Sequence, residues 1–228
     1  MEKKLKIRIK NKLIRKIKNI IWKILNKINI GGPIQLMLNG ALIEDGWFKS
    51  FNTKQSIDKD GKPIPWCTYP FIKFIEPRLQ KNFNVFEFGG GNSTIWYAEK
   101  VKNIKAVEHD KLWVEYISKK MPSNAEIIYK ELNHNGEYSK AVMKDGNKYN
   151  IIIIDGRDRN RCAKNSVDCL TDDGVIVFDN ANLTIYNEAI NLFSQQGFKR
   201  IDFIGMSPVT NHNNYTSIFY KENNCLGI

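Results

Sequence analysis

From residue 83 onward, short apolar runs alternate with segments of helical period, and this alternation restricts the fold more than any other feature of the chain. FNVFEF (83–88) is strand-like and STIWYAEKV helical. IKAVEH (104–109) is a strand, DKLWVEYISKKM a helix, and AEIIYKEL (125–132) a further strand. YNIIIID (149–155) is a continuous apolar run, as expected of a central strand buried on both faces. RCAKNSVDCL reads as a helix, GVIVFD (174–179) as a strand and NLTIYNEAINLFSQQ as a helix. The end departs from the rule, because FKRIDFIGM and YTSIFYK are strands joined only by the loop SPVTNHNN. The pattern predicts a doubly wound, Rossmann-like α/β fold, with a seven-stranded, mostly parallel sheet closed by a terminal antiparallel hairpin.

The 228 residues suffice for one such domain with a small appendage. Four scattered cysteines and no Cys-x-x-Cys argue against a zinc site or a disulfide framework, and suggest a reducing cytoplasm. The net charge of +11 is concentrated in residues 1–30, which carry nine Lys, two Arg and one Glu. The rest of the chain is close to neutral, so no nucleic-acid partner is expected. Within the arm Leu13, Ile14, Ile17, Ile20, Ile21, Ile24, Leu25 and Ile28 recur at helical spacing, with lysines and Arg15 opposite. Lysines interrupt too often for a membrane span or a signal peptide. Two readings stay open. The helix lies in the plane of an anionic membrane surface, or it packs its apolar stripe on the body or on a second subunit in a homodimer. Residues 31–80, rich in Gly, Pro and turn signals, are expected to form a cap on the main domain, 81–228.

The stretch FEFGGGNST puts three glycines after the first strand, where ligands of such sheets bind. A loop without side chains allows close approach of a ligand. The dinucleotide fingerprint Gly-x-Gly-x-x-Gly is incomplete, since Asn92 and Ser93 follow Gly91, and Glu87 stands two residues before Gly89. A carboxylate there suits a cation better than a pyrophosphate. Glu108, at the end of the second strand, is placed to grip ribose hydroxyls. A ligand with a cationic end and a ribose but no phosphate matches S-adenosylmethionine.

FEFGGGNST resembles the Glu-x-Gly-x-Gly motif of class I S-adenosylmethionine-dependent methyltransferases, and AVEHD is similar to that family's second-strand acid. The similarity runs over about residues 66–221. The set PWCTYP, FEFGGGNST, VEHD, IIDGRDRNRCA, GVIVFDN and YTSIFY further resembles bacterial methyltransferases associated with surface-glycan synthesis. The resemblance implies that Glu87, Gly89 and Gly91 line the methionine end of the cofactor, with Gly90, Asn92 and Ser93 in the same loop. It implies that Glu108 lies at the ribose and His109 near the adenine. Gly90 departs from the motif, whose middle position more often carries a side chain, and is expected to loosen the loop.

Methyl transfer to a hydroxyl needs alignment and help in removing a proton. Asp155 ends the fourth strand and Asp179-Asn180 the fifth, so three oxygen donors meet at one sheet edge and could hold Mg²⁺. Alternatively Asp155 faces cofactor and acceptor directly while Asp179-Asn180 caps the next helix. Arg157, Arg159 and Arg161 follow the central strand, and at least one is expected to meet an anionic acceptor. Asp158 is a candidate base. Trp66 and Tyr69 either cover the cofactor from the cap side or pack in the core. The favoured function is O-methylation of a saccharide or lipid-linked saccharide at the cytoplasmic membrane face. The alternatives are a metal-dependent O-methyltransferase of a soluble small molecule, and a scaffold that keeps the fold without turnover.

Overall fold

In the computed structural model, which describes residues 2–228 and the side chains from residue 12 onward, seven strands form one sheet. They are β1 (Asn84–Phe88), β2 (Asn103–Glu108), β3 (Ala125–Tyr129), β4 (Tyr149–Ile154), β5 (Leu170–Asp179), β6 (Lys199–Gly205) and β7 (Asn214–Tyr220). Their order is β3-β2-β1-β4-β5-β7-β6. Strands β1 to β5 pair in parallel, and β7 inserts antiparallel between β5 and β6. The expected architecture, terminal hairpin included, is the observed one. AEIIYKEL is extended only to Tyr129, and β5 starts four residues before the Gly174 of GVIVFD.

Nine α-helices are present among the described residues. They are α1 (Glu2–Lys27), α2 (Gly31–Leu38), α3 (Ala41–Glu44), α4 (Trp47–Thr53), α5 (Tyr69–Ile75), α6 (Asn92–Ala98), α7 (Lys111–Ile117), α8 (Arg159–Ser166) and α9 (Asn187–Gln195). Alternation along the central strands feeds two cores. Phe86, Phe88, Ile152, Ile154, Ile176 and Phe178 meet Cys162 and Ala163 of α8 and Phe193 of α9 on one face. Val85, Ile151, Ile153, Val175 and Val177 meet Phe71, Ile72 and Ile75 of α5 and Trp96 and Tyr97 of α6 on the other. Burial on both faces is why these strands read as unbroken apolar runs.

The second half of the 31–80 segment is tied into the sheet. The N–H of Thr68 donates to Thr216 Oγ1 at 3.1 Å and that of Tyr69 to the Met206 carbonyl at 2.9 Å. The first half reaches the glycine loop from the other side, where Asn92 Nδ2 donates to the Ser56 carbonyl at 2.9 Å.

Along α1 and just past its end, Leu13, Ile14, Ile17, Ile20, Ile21, Ile24 and Ile28 are 42–58% exposed and only Leu25 of the stripe is half-buried, so most of it is not packed on the body. The first eleven residues of the basic arm lie outside the described side chains. No described helix is long and apolar enough to cross a membrane.

Candidate functional site

Strand order reverses between β1 and β4, and the loops leaving these strands meet there. A Cβ on Gly89, whose φ is +94°, would stand 2.8 Å from Gly156 Cα, so the Gly89 and Gly156 backbones approach as no larger residue would permit. A cavity of about 850 Å³ opens over this contact. Gly89, Gly90, Gly91, Asn92, Ser93, Glu108, His109 and Asp155 all line it.

Gly90 is held from two sides, contrary to the expectation that it loosens the loop. A Cβ there would meet Ile127 Cδ1 at 2.7 Å and Ala106 Cβ at 2.8 Å, so packing against β2 and β3 excludes a side chain. The Gly90 carbonyl accepts the Trp113 indole N–H at 2.9 Å.

The loop's own N–H groups are spent inside the protein. Those of Gly89 and Gly90 donate to the Val107 carbonyl at 2.8 and 3.4 Å, and that of Gly91 donates to Thr94 Oγ1 at 2.9 Å. A pyrophosphate could not use these three and would be left with the N–H groups of Asn92 and Ser93 at the start of α6.

Glu87 does not line the cavity and instead stands behind the loop. The Thr94 hydroxyl donates to Glu87 Oε2 at 2.5 Å, so Glu87 holds Thr94 and Thr94 holds Gly91. Burial pushes the Glu87 carboxyl up to about 7, against the lowering effect of the Ser93 and Thr94 hydroxyls.

Glu108 faces the cavity. Its Oε1 accepts the N–H groups of His109 at 2.7 Å and Asp110 at 2.9 Å, and among the described residues Oε2 remains for a ligand. His109 Nδ1 lies 2.6 Å from Glu108 Oε1, off the hydrogen-bonding direction. The far wall is a stripe of α7 that sequence reasoning missed, Trp113 and Tyr116 followed by Lys120. Trp113 stands three residues after the N-cap Asp110 and Tyr116 three residues after Trp113, a usable signal, since this spacing puts two aromatics on the helix face beside Glu108. Ser56 and Ile64 close the cavity from the cap.

Tyr69 was expected at the cofactor and is not there. It is buried in the packing of α5, and its N–H is anchored on the Met206 carbonyl. Asp158, the candidate base, is also turned away. It sits in left-handed backbone at φ 53° and pairs with Arg161 Nε at 2.6 Å.

The three arginines separate. Arg161 is half-exposed and reaches the His134 carbonyl at 3.2 Å. Arg157 is exposed at the cavity wall. Arg159 is buried and fully engaged. Its Nε donates to the Gly156 carbonyl at 2.9 Å, and its Nη2 to the Asp155 carbonyl and to Asp155 Oδ1, both at 3.0 Å. Its Nη1 donates to the Asp179 carbonyl and to Asn180 Oδ1, the latter at 3.2 Å.

Asp155, Asp179 and Asn180 do converge, as adjacent parallel strands require, and they line a second cavity of about 310 Å³. They do not suit Mg²⁺. Asp155 Oδ1 and Asn180 Oδ1 already accept from Arg159, and Asp179 Oδ1 accepts the Thr216 hydroxyl at 2.6 Å. A divalent ion beside these oxygens would be opposed by the positive charge of a buried guanidinium already bonded to Asp155 and Asn180. Asp179-Asn180 does not cap the next helix either, because α9 begins seven residues on, at Asn187. About a quarter of the Asp155 side chain is open to the cavities, yet protein encloses it otherwise. Burial, with Asp179 beside it, pushes this carboxyl well above the ordinary range, and burial raises Asp179 too.

Among solved structures the chain is similar to precorrin-6y C5,15-methyltransferase from Geobacter metallireducens, with a TM-score of 0.55 and 14% identity over 74% of this chain and 98% of that one. It is also similar to an rRNA methylase from Streptococcus thermophilus, with a TM-score of 0.49 and 13% identity over 67% of this chain and 97% of that one. No protein-family model and no curated protein matches the sequence. The first likeness shows the fold, a Rossmann-like methyltransferase fold.

Proposed function

We propose that the chain is an S-adenosylmethionine-dependent methyltransferase that methylates a hydroxyl of a saccharide or lipid-linked saccharide at the cytoplasmic face of a membrane. One observation carries the cofactor reading: the glycine loop offers shape without free N–H donors, while Glu108 offers a carboxylate oxygen beside it. That combination fits a nucleoside gripped at its ribose and packed against the loop backbone.

S-adenosylmethionine, when bound, supplies a methyl group on a sulfonium. The chain's residues do the rest. Gly89 to Gly91 admit the cofactor close to the backbone, Glu108 Oε2 takes the ribose hydroxyls, and His109 and Trp113 flank the base. Asp155 borders both cavities, so it can orient an acceptor hydroxyl towards the methyl group and receive its proton. Arg157 is the arginine left to meet an anionic group on the acceptor.

The membrane part of the reading rests on α1, whose uncovered apolar stripe lies opposite a lysine-rich face. The whole reading is tested by incubating the protein with methyl-labelled S-adenosylmethionine and bacterial envelope glycans. A methyl ether in the glycan fraction is expected. Label found only in protein, RNA or free small molecules would remove the saccharide assignment.

A further inference from the structure

The smaller cavity shares Trp66 and Asp155 with the larger one, so a group seated in it lies next to whatever occupies the glycine-loop side. Its floor is a closed charge cluster in which one guanidinium is clamped between Asp155, the Asp179 carbonyl and Asn180. A cation is already built in, and the carboxylates answer it, so the cluster has little to offer either a metal or an anion.

The rest of the lining is neutral and polar. Ser207 Oγ and Thr210 Oγ1 lie 2.8 Å apart, and Asn214 Nδ2 donates to both at 2.7 and 2.8 Å. This fixes the Asn214 amide and leaves its Oδ1 as an acceptor. Asn180 Oδ1 is taken by Arg159, which leaves its Nδ2 as a donor. Asn180 is also held at φ 57° in left-handed backbone. The remaining wall is the half-exposed indole of Trp66. Fixed donors and acceptors under one aromatic face suit a ring that is apolar on its faces and hydroxylated at its edge.

We propose that this cavity receives one uncharged, hydroxyl-bearing ring of the acceptor, a pyranoside, with Arg159 standing where a divalent ion would otherwise be needed. The ring lies against Trp66, and its hydroxyls reach Asn180, Asn214 and the Asp155–Asp179 pair. The assignment rests on the methyltransferase reading, since that is what puts a methyl donor across Asp155 from the ring. Any charged group on the acceptor lies outside this cavity, towards Arg157.

The test uses the full chain, with and without S-adenosylhomocysteine, and a panel of methyl gluco-, galacto- and mannopyranosides. Saturation-transfer NMR should show contact with at least one pyranoside, reduced at least fivefold in Asn214→Leu and in Trp66→Ala. Asn214→Leu should keep its affinity for S-adenosylhomocysteine, which shows that it folds. Mn²⁺ at 1 mM should give no stoichiometric uptake. No pyranoside contact in the wild type, contact unaffected by both substitutions, or one Mn²⁺ bound per chain would each overturn the proposal. A failure of S-adenosylhomocysteine to bind would instead remove the cofactor reading, and it is read separately by calorimetry.

Discussion

The Trp113 indole donates to the Gly90 carbonyl at 2.9 Å, tying helix α7 to the middle of the glycine loop. The same ring lies under Gly91, whose missing Cβ would be 3.4 Å from Trp113 Cζ2. Trp113→Phe keeps most of the aromatic wall and removes the donor. Loss of one hydrogen bond at a partly exposed site is worth about 1 kcal/mol, or roughly fivefold in affinity. Calorimetry with S-adenosylhomocysteine should show a loss of that size. An unchanged dissociation constant would mean that α7 does not set the loop.

The steric account of Gly90 predicts that Gly90→Ala is destabilising although its φ is unexceptional. The added methyl would overlap Ala106 Cβ, which is fixed to a central strand, and Ile127 Cδ1, which can move. Overpacking of this kind costs about 1–3 kcal/mol. Urea denaturation should show that loss, and Ala106→Gly in the same chain should recover much of it. Failure of the second change to help would point to backbone strain instead.

The strands were legible because apolar runs between helical segments have few other solutions, and the cofactor loop because three glycines after a strand demand a reason. What stayed hidden depends on side-chain direction. Glu87 is one position from Phe88 yet points behind the loop, since alternation on β1 sends it to the face packed by α5 and α6. Arg157, Arg159 and Arg161 look equivalent in sequence, but the turn into α8 sends Arg159 inward, Arg161 onto Asp158, and only Arg157 to the cavity. Tyr69 was misplaced because an aromatic near a predicted site is as often core as lining. Trp113 and Tyr116 were overlooked because their helix reads as ordinary surface until it is set beside Glu108.

Glu87 should make stability fall with rising pH. Its carboxyl titrates near 7 in the folded protein against 4.5 as its ordinary value, so the folded state holds the proton more tightly. The stabilising contribution is complete below about pH 4.5 and lost as pH rises through about 7, on the order of 3 kcal/mol in all. Asp155 and Asp179 are raised too and slope the same way. Glu87→Gln keeps a partner for Thr94 and does not titrate. Denaturation midpoints measured from pH 5 to 8 should fall less steeply in the variant. Parallel curves would show that Glu87 is ionised throughout.

The α1 reading predicts salt-sensitive binding to vesicles containing anionic phospholipid, and weak binding to neutral ones. Each lysine or arginine near the surface contributes about 1 kcal/mol. Sedimentation with the full chain and with a chain lacking residues 2–27 should separate them, with S-adenosylhomocysteine affinity equal in both. Equal binding of the full chain to neutral and anionic vesicles, or to neither, contradicts the reading.

The most direct measurement is a calorimetric comparison of S-adenosylhomocysteine with NAD⁺, on the wild type and on Glu108→Ala. The account predicts one site per chain for S-adenosylhomocysteine, at least tenfold weaker without the Glu108 carboxylate, and no heat with NAD⁺. Saturable NAD⁺ binding, or S-adenosylhomocysteine affinity indifferent to Glu108, would contradict it.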